Sequence, residues 1–280
     1  VKRRIGVCSW SLQPDSPADL IGKLQAAGID CVQLALEPLR SGAWHAERAI
    51  GELRDAGVEI RSGMMSMRGE DYSSLETIRK TGGVRPDAHW KHNLDAARAN
   101  AALAKRIGIK LVTFHAGFLP HDRNDRERAT MIERLRAITD AFAEHGVRVG
   151  FETGQENADT LLGVLEELGR DSAGVNFDPA NMILYGMGDP IEALRKLAGR
   201  VLQAHVKDAR KTNEPGTWGD EVRAGDGEVD WNAFFSVLHD EHNECDLMIE
   251  REAGGRRIAD IAHAHKLVLG HLSGGAKESR

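Results

Sequence analysis

Four short apolar runs each end on a side chain that can bind a metal ion. Residues 147–151 lead to Glu152, 174–177 to Asp178, 201–204 to His205 and 246–249 to Glu250. The first two intervals are each about the length of one strand–loop–helix–loop unit, and the third is one unit with a long insertion. If successive parallel strands close into a barrel, the carboxyl ends of all four open on one face. Strand parity agrees: Gly150 and Glu152 share a face, as do Asn176 and Asp178, His205 and Lys207, and Met248 and Glu250. Val206 and Phe177 then point the other way, toward helices.

Three carboxylates and one imidazole converging on a point make a metal site. An oxygen-rich set with one nitrogen suits Mn²⁺, Mg²⁺ or Co²⁺, and Zn²⁺ fits on affinity. Four protein ligands leave positions open on a six-coordinate ion, where two substrate oxygens could chelate and a carbonyl be polarised. Glu152 and Glu250 would then flank the substrate, one carboxylate removing a proton beside the carbonyl and the other returning it.

The elements that must carry these residues follow from periodicity and caps. Strands are predicted at residues 4–10, 30–36, 58–64, 110–115, 147–152, 173–178, 200–207 and 246–250. Helices are predicted at residues 16–27, 43–56, 87–107, 125–145, 157–169, 190–198, 230–240 and 257–270. Ser16 caps the first helix with Pro17 at its opening position, and Gly28 ends it. A polar stretch over residues 66–86 is longer than most connections and is expected to act as a lid over the site; residues 208–229 form a second long loop. Eight alternating units predict an α/β fold, a (β/α)₈ TIM barrel forming one domain over residues 1–272. Residues 273–280 read as a small, polar, mobile tail.

Bulk properties narrow the partners. The 280 residues are 41% hydrophobic and 29% charged, values of an ordinary globular chain. A net charge of −6 gives no basic surplus for nucleic acid. No apolar run approaches the roughly 20 residues needed to span a bilayer, and the first residues carry no secretory h-region. Cys8, Cys31 and Cys245 cannot form an even disulfide set; reduced thiols and a cytoplasmic location are expected. No glycine-rich fingerprint follows the first strand, so a dinucleotide site is not indicated.

Phe151-Glu152-Thr153, Asn176-Phe177-Asp178-Pro179-Ala180-Asn181, His205-Val206-Lys207-Asp208 and the stretch 225–231 (Gly-Asp-Gly-Glu-Val-Asp-Trp) look like known strand-end signatures. On these motifs the chain resembles the xylose isomerase-like TIM-barrel superfamily of sugar and sugar-phosphate isomerases and epimerases, from Gly6 to about Leu269. It is nearest the ketose 3-epimerase branch. The resemblance implies that Glu152, Asp178, His205 and Glu250 bind Mn²⁺ or a related ion. It implies that Glu152 and Glu250 are the acid/base pair, working through a cis-enediolate, and that Arg223 contacts substrate oxygens. The substrate would be a small sugar or keto-sugar, and a homo-oligomer paired through catalytic-face loops would fit. One departure stands out: Asn181 occupies a position where that branch often has a histidine. DNA-repair endonucleases of the same superfamily need a histidine there and another after strand seven. None occurs in residues 220–226, so that reading is set aside.

Other inward positions complete the candidate list. His115 ends strand four and could touch a substrate hydroxyl or simply pack. Lys207 reads first as a counter-charge to the carboxylates, and as a proton donor second. Trp10 and Glu37 would line the pocket rim, Asn181 could bond a hydroxyl, and Gln155 could reach substrate. Residues 254–257 (Gly-Gly-Arg-Arg) could bind a phosphate at a helix start or form a plain turn. Together these predict an isomerase or epimerase of a sugar or keto-sugar, with an inosose dehydratase-like lyase as the rival.

Overall fold

Strands buried on both faces read as short apolar runs, and each predicted run becomes a barrel strand. The computed structural model describes residues 3–214 and 216–274. Strands β1 (Ile5–Cys8), β2 (Cys31–Ala35), β3 (Glu59–Met64), β4 (Leu111–Phe114), β5 (Arg148–Glu152), β6 (Ala173–Phe177) and β7 (Val201–Val206) pair in parallel. Next, β8 (Asp208–Arg210) and β9 (Asp220–Val222) leave the barrel as an antiparallel hairpin. Finally β10 (Asp246–Ile249) inserts between β7 and β1 and closes the eight-stranded cylinder.

The surrounding helices are α1 (Pro17–Ala27), α2 (Glu37–Arg40), α3 (Ala46–Asp55), α4 (Leu75–Thr81), α5 (Asp87–Ile107), α6 (Arg126–Ala143), α7 (Ala158–Leu168), α8 (Pro179–Tyr185), α9 (Pro190–Leu197), α10 (Trp231–Asp240) and α11 (Arg257–Gly274). Caps set several starts: Ser16, Asn157, Asp178 and Asp230 each accept a bond from the backbone N–H three residues on. The core lies between strands and helices. Val112 and Phe114, Val149 and Phe151, Val175 and Phe177, and Leu247 and Ile249 point outward into it, buried. Each such side chain contributes about 1.5–3 kcal/mol of burial.

Several boundaries differ from expectation, for local reasons. The first strand stops at Cys8, because residues 9–12 tighten into a 3₁₀ turn that ends at Gln13 in the left-handed region, φ 47°. The 66–86 stretch is not all loop: Ser74 and Thr77 form a reciprocal capping box that starts α4. The 208–229 loop contains β8 and β9, held by the buried Asp208 carboxylate. That carboxylate accepts from the N–H groups of Gly225, Gly227 and Val229 and from Trp231 Nε1, at 2.8–3.2 Å. A Cβ on Gly227 would lie 2.0 Å from Asp208 Oδ1, so glycine is required there. The last helix continues to Gly274 beyond its expected end, so the predicted tail begins inside it; residues 275–280 lie outside the described residues. Among the described residues no helix is long and apolar enough to cross a membrane.

Candidate metal centre

Four strand ends deliver four side chains to one point. Glu152 is the last residue of β5 and His205 lies in β7. Asp178 and Glu250 follow β6 and β10 directly. Asp178 doubles as the cap of α8: its Oδ1 accepts from Asn181 N at 2.8 Å, which leaves Oδ2 facing inward. One ligand atom from each of Glu152, Asp178, His205 and Glu250 lies within 4.8 Å of all the others. The hub is His205 Nδ1, at 3.5 Å from Glu152 Oε1, 3.4 Å from Asp178 Oδ2 and 3.4 Å from Glu250 Oε2.

These atoms fit a cation. His205 Nδ1 and Asp178 Oδ2 are buried and have no hydrogen-bond partner among the described residues. Buried polar atoms are rarely left so, because each orphan costs about 1–3 kcal/mol. Three carboxylates with one buried ammonium nearby also leave negative charge uncompensated, and an ion bound by oxygen and one imidazole would remove both penalties.

The surrounding shell is polar. Trp10 Nε1 donates to Glu250 Oε1 at 2.7 Å, and Lys207 Nζ donates to Glu250 Oε2 at 2.8 Å and Glu252 Oε2 at 2.6 Å. Asn181 Nδ2 donates to Glu152 Oε1 at 3.0 Å while its Oδ1 accepts from Lys207 Nζ at 3.3 Å. His115 Nε2 stands 3.5 Å from Glu152 Oε1, with Tyr72 of the 66–86 segment 6.4 Å away, ring to ring. Trp10, His115, Asn181 and Lys207 are therefore brought to the cluster. Gln155 is buried on the loop after β5, its Oε1 facing Gly82, with both amide atoms unpartnered among the described residues.

Two other predicted contacts are engaged by neighbours outside the cluster. Arg223 does not reach the cluster; its guanidinium is taken up by Asp226, three residues on, through bonds of 2.9 and 3.0 Å at the surface. Glu37 opens α2 and accepts from Ser66 N at 2.8 Å, which braces the loop after β2 against the loop after β3. Residues 254–257 form the turn into α11, where Arg257 donates back to the Glu252 carbonyl. Glu252 was missed because it lies past the last strand, where parity no longer applies. Its place is set by Glu221 of β9, whose carboxylate accepts from Glu252 N at 2.9 Å and from Arg251 at 2.7 Å.

Electrostatics differ between the carboxylates. Burial alone would raise Glu250, but the Lys207 ammonium and His205 hold it well below the usual carboxylate range. Burial also opposes ionisation of Glu152, and His115 and His205 outweigh it, leaving that group lowered. In Asp178 burial prevails over His205 and Lys207, and the group is raised. Burial lowers His205 and Lys207, yet the anions around each keep both well above their ordinary values.

The family model described as xylose isomerase-like TIM barrel matches residues 21–269. The chain belongs to that family. A xylose isomerase domain protein from Planctomyces limnophilus superposes with a TM-score of 0.85 at 31% identity, covering 96% of each chain. An L-ribulose 3-epimerase structure superposes at a TM-score of 0.74 and 16% identity, over 99% of this chain and 97% of that one. The inosose dehydratase of Clostridium perfringens is 26% identical over 181 residues, covering 60% of this chain and 49% of that protein. The chain thus spans about half the length of that curated relative. Family membership agrees with the closed parallel barrel.

Proposed function

We propose that the chain is a divalent-metal-dependent isomerase or epimerase of a sugar or keto-sugar, moving a proton on the carbon beside a carbonyl. The observation that carries this reading is the approach of Glu152 and Glu250, from β5 and β10, to the same imidazole nitrogen at 3.5 and 3.4 Å. Glu152, Asp178, His205 and Glu250 would hold the ion, with Mn²⁺ first and Mg²⁺, Co²⁺ or Zn²⁺ as alternatives. Once bound, it would supply Lewis-acid polarisation of the substrate carbonyl.

The chain's own groups do the remaining work. One of the two glutamates takes the proton from carbon and the other returns it on the opposite face, which inverts the centre. Return to the neighbouring carbon would give isomerisation instead. Lys207 and Trp10 keep Glu250 ionised and fix its carboxylate plane, and Asn181 does the same for one oxygen of Glu152. His115 and the unpartnered Gln155 amide can bond substrate hydroxyls. One feature supports a cytoplasmic setting: Cys8, Cys31 and Cys245 are free thiols.

A second reading is a keto-polyol dehydratase, with the same proton abstraction followed by loss of a β-hydroxyl as water. The inosose dehydratase relatives favour it, as does Lys207, an ammonium held between Glu250 and Glu252 where it could protonate a departing hydroxyl. Incubating Mn²⁺-loaded protein with ketoses, 3-keto sugars and inososes in D₂O tests both. Deuterium gain without mass loss supports the isomerase, and loss of water supports the dehydratase. Neither event across the panel would contradict the proposal.

A further inference from the structure

Below the carboxylates the barrel lumen holds amides and hydroxyls beside a sulfur cluster of Cys8, Cys31 and Met248, rather than the branched aliphatics usual in such barrels. Two chains of bonds cross it. Ser62 of β3 donates to Gln203 Oε1 at 2.5 Å, Gln203 Nε2 to Asn176 Oδ1 at 3.0 Å, and Asn176 Nδ2 to Glu152 Oε2 at 3.2 Å. In the other chain Gln33 of β2 donates through Nε2 to Thr113 Oγ1 at 2.7 Å, and its Oε1 lies 2.9 Å from His205 Nε2. Both chains are buried.

We infer that Gln33 is the positioning residue of the metal centre: by accepting the Nε2 proton of His205, it leaves the Nδ1 lone pair facing the three carboxylates. This rests on the proposed metal reading. An imidazole ligates through the nitrogen that carries no proton, so the partner of the other nitrogen decides which tautomer forms. The bond to Thr113 turns the Gln33 oxygen toward His205. Cys8 Sγ, 3.4 Å from the same oxygen, adds a second donor to it.

A competitor exists. Asn176 Nδ2 lies 3.0 Å from His205 Nε2, and donation there would hold the opposite tautomer, with a proton blocking Nδ1. The same nitrogen also faces the Glu152 carboxylate. One of its two hydrogens is taken by Glu152 Oε2; if the other went to an unprotonated Nε2, Gln33 Oε1 and His205 Nε2 would face each other as two acceptors 2.9 Å apart, which disfavours that tautomer.

The test is Mn²⁺ binding to chelator-stripped protein by calorimetry, with thermal unfolding as a check on folding. Gln33→Leu should weaken Mn²⁺ binding by about 10–100-fold, and Gln33→Glu, which retains an acceptor, should restore most of it. In Mg²⁺-loaded wild type with ¹⁵N-labelled histidine, the His205 proton should reside on Nε2; in Gln33→Leu that proton should exchange faster. Folded Gln33→Leu protein binding Mn²⁺ as tightly as wild type would overturn the inference while leaving the metal centre standing. A wild type that binds no Mn²⁺ would overturn the centre and the inference together.

Discussion

Lys207 Nζ and Glu250 Oε2 lie 2.8 Å apart, with both side chains almost wholly shielded from water. Removing one partner of such a pair leaves an uncompensated buried charge, which typically costs about 3–5 kcal/mol. Glu250 is depressed in the folded state, so its contribution to stability is complete above its ordinary 4.5 and lost as pH falls toward the depressed value. Lys207→Met should therefore destabilise the metal-free protein at pH 7 and move acid unfolding to higher pH. Urea titrations at several pH values measure both. Equal stability of the two proteins at pH 7 would contradict the assigned role.

Asp178 and His205 contribute the two orphaned buried atoms of the cluster. Asp178→Ala and His205→Ala should each lose bound metal while keeping the barrel, because the strands carrying them are held by backbone pairing on both sides. Elemental analysis of the purified variants, with circular dichroism alongside, checks this. Metal content equal to wild type in either variant would remove that residue from the ligand set.

The acid/base assignment has a kinetic signature. Glu152→Gln and Glu250→Gln should each slow deuterium exchange at the substrate carbon by about 10²–10⁴-fold, the usual worth of a positioned proton-transfer group. The assay belongs at saturating Mn²⁺, so that weakened ligation is not mistaken for lost chemistry. Exchange unchanged by Glu250→Gln would assign the proton to another group.

Much of this was legible along the chain. Residues at the ends of barrel strands are addressed by period-two alternation, so Glu152, Asp178, His205 and Glu250 fall on one face by sequence alone. Hydrogen bonds across the lumen are a different matter. Gln33 with Thr113, and Ser62 with Gln203, join strands that are not neighbours in the sheet, and no local pattern encodes which inward residues meet. Loop geometry was the other gap. Asp208 shapes the hairpin through backbone donors up to 21 residues away, and Glu221 then sets Glu252. Arg223 was carried over by resemblance, but here Asp226 lies close enough to capture it.

Glu156 offers a test independent of metal and substrate. It is buried on the loop after β5, and burial raises it from its ordinary 4.5 to about 8. A raised acid works in the opposite sense to Glu250. Between those two values the unfolded chain ionises while the folded chain holds its proton, so stability falls as pH rises and levels off above about 8. The full effect is at most about 5 kcal/mol. Glu156→Gln should match wild type near pH 4 and exceed it near pH 8 in urea unfolding. The same difference at both pH values would contradict this.

The central claim is that one cation sits among Glu152, Asp178, His205 and Glu250. Anomalous diffraction from Mn²⁺-soaked crystals tests it most directly. A single strong peak within ligand distance of all four side chains is the predicted result. Saturating Mn²⁺ that leaves this point without anomalous density, or that gathers at another part of the barrel, would contradict it.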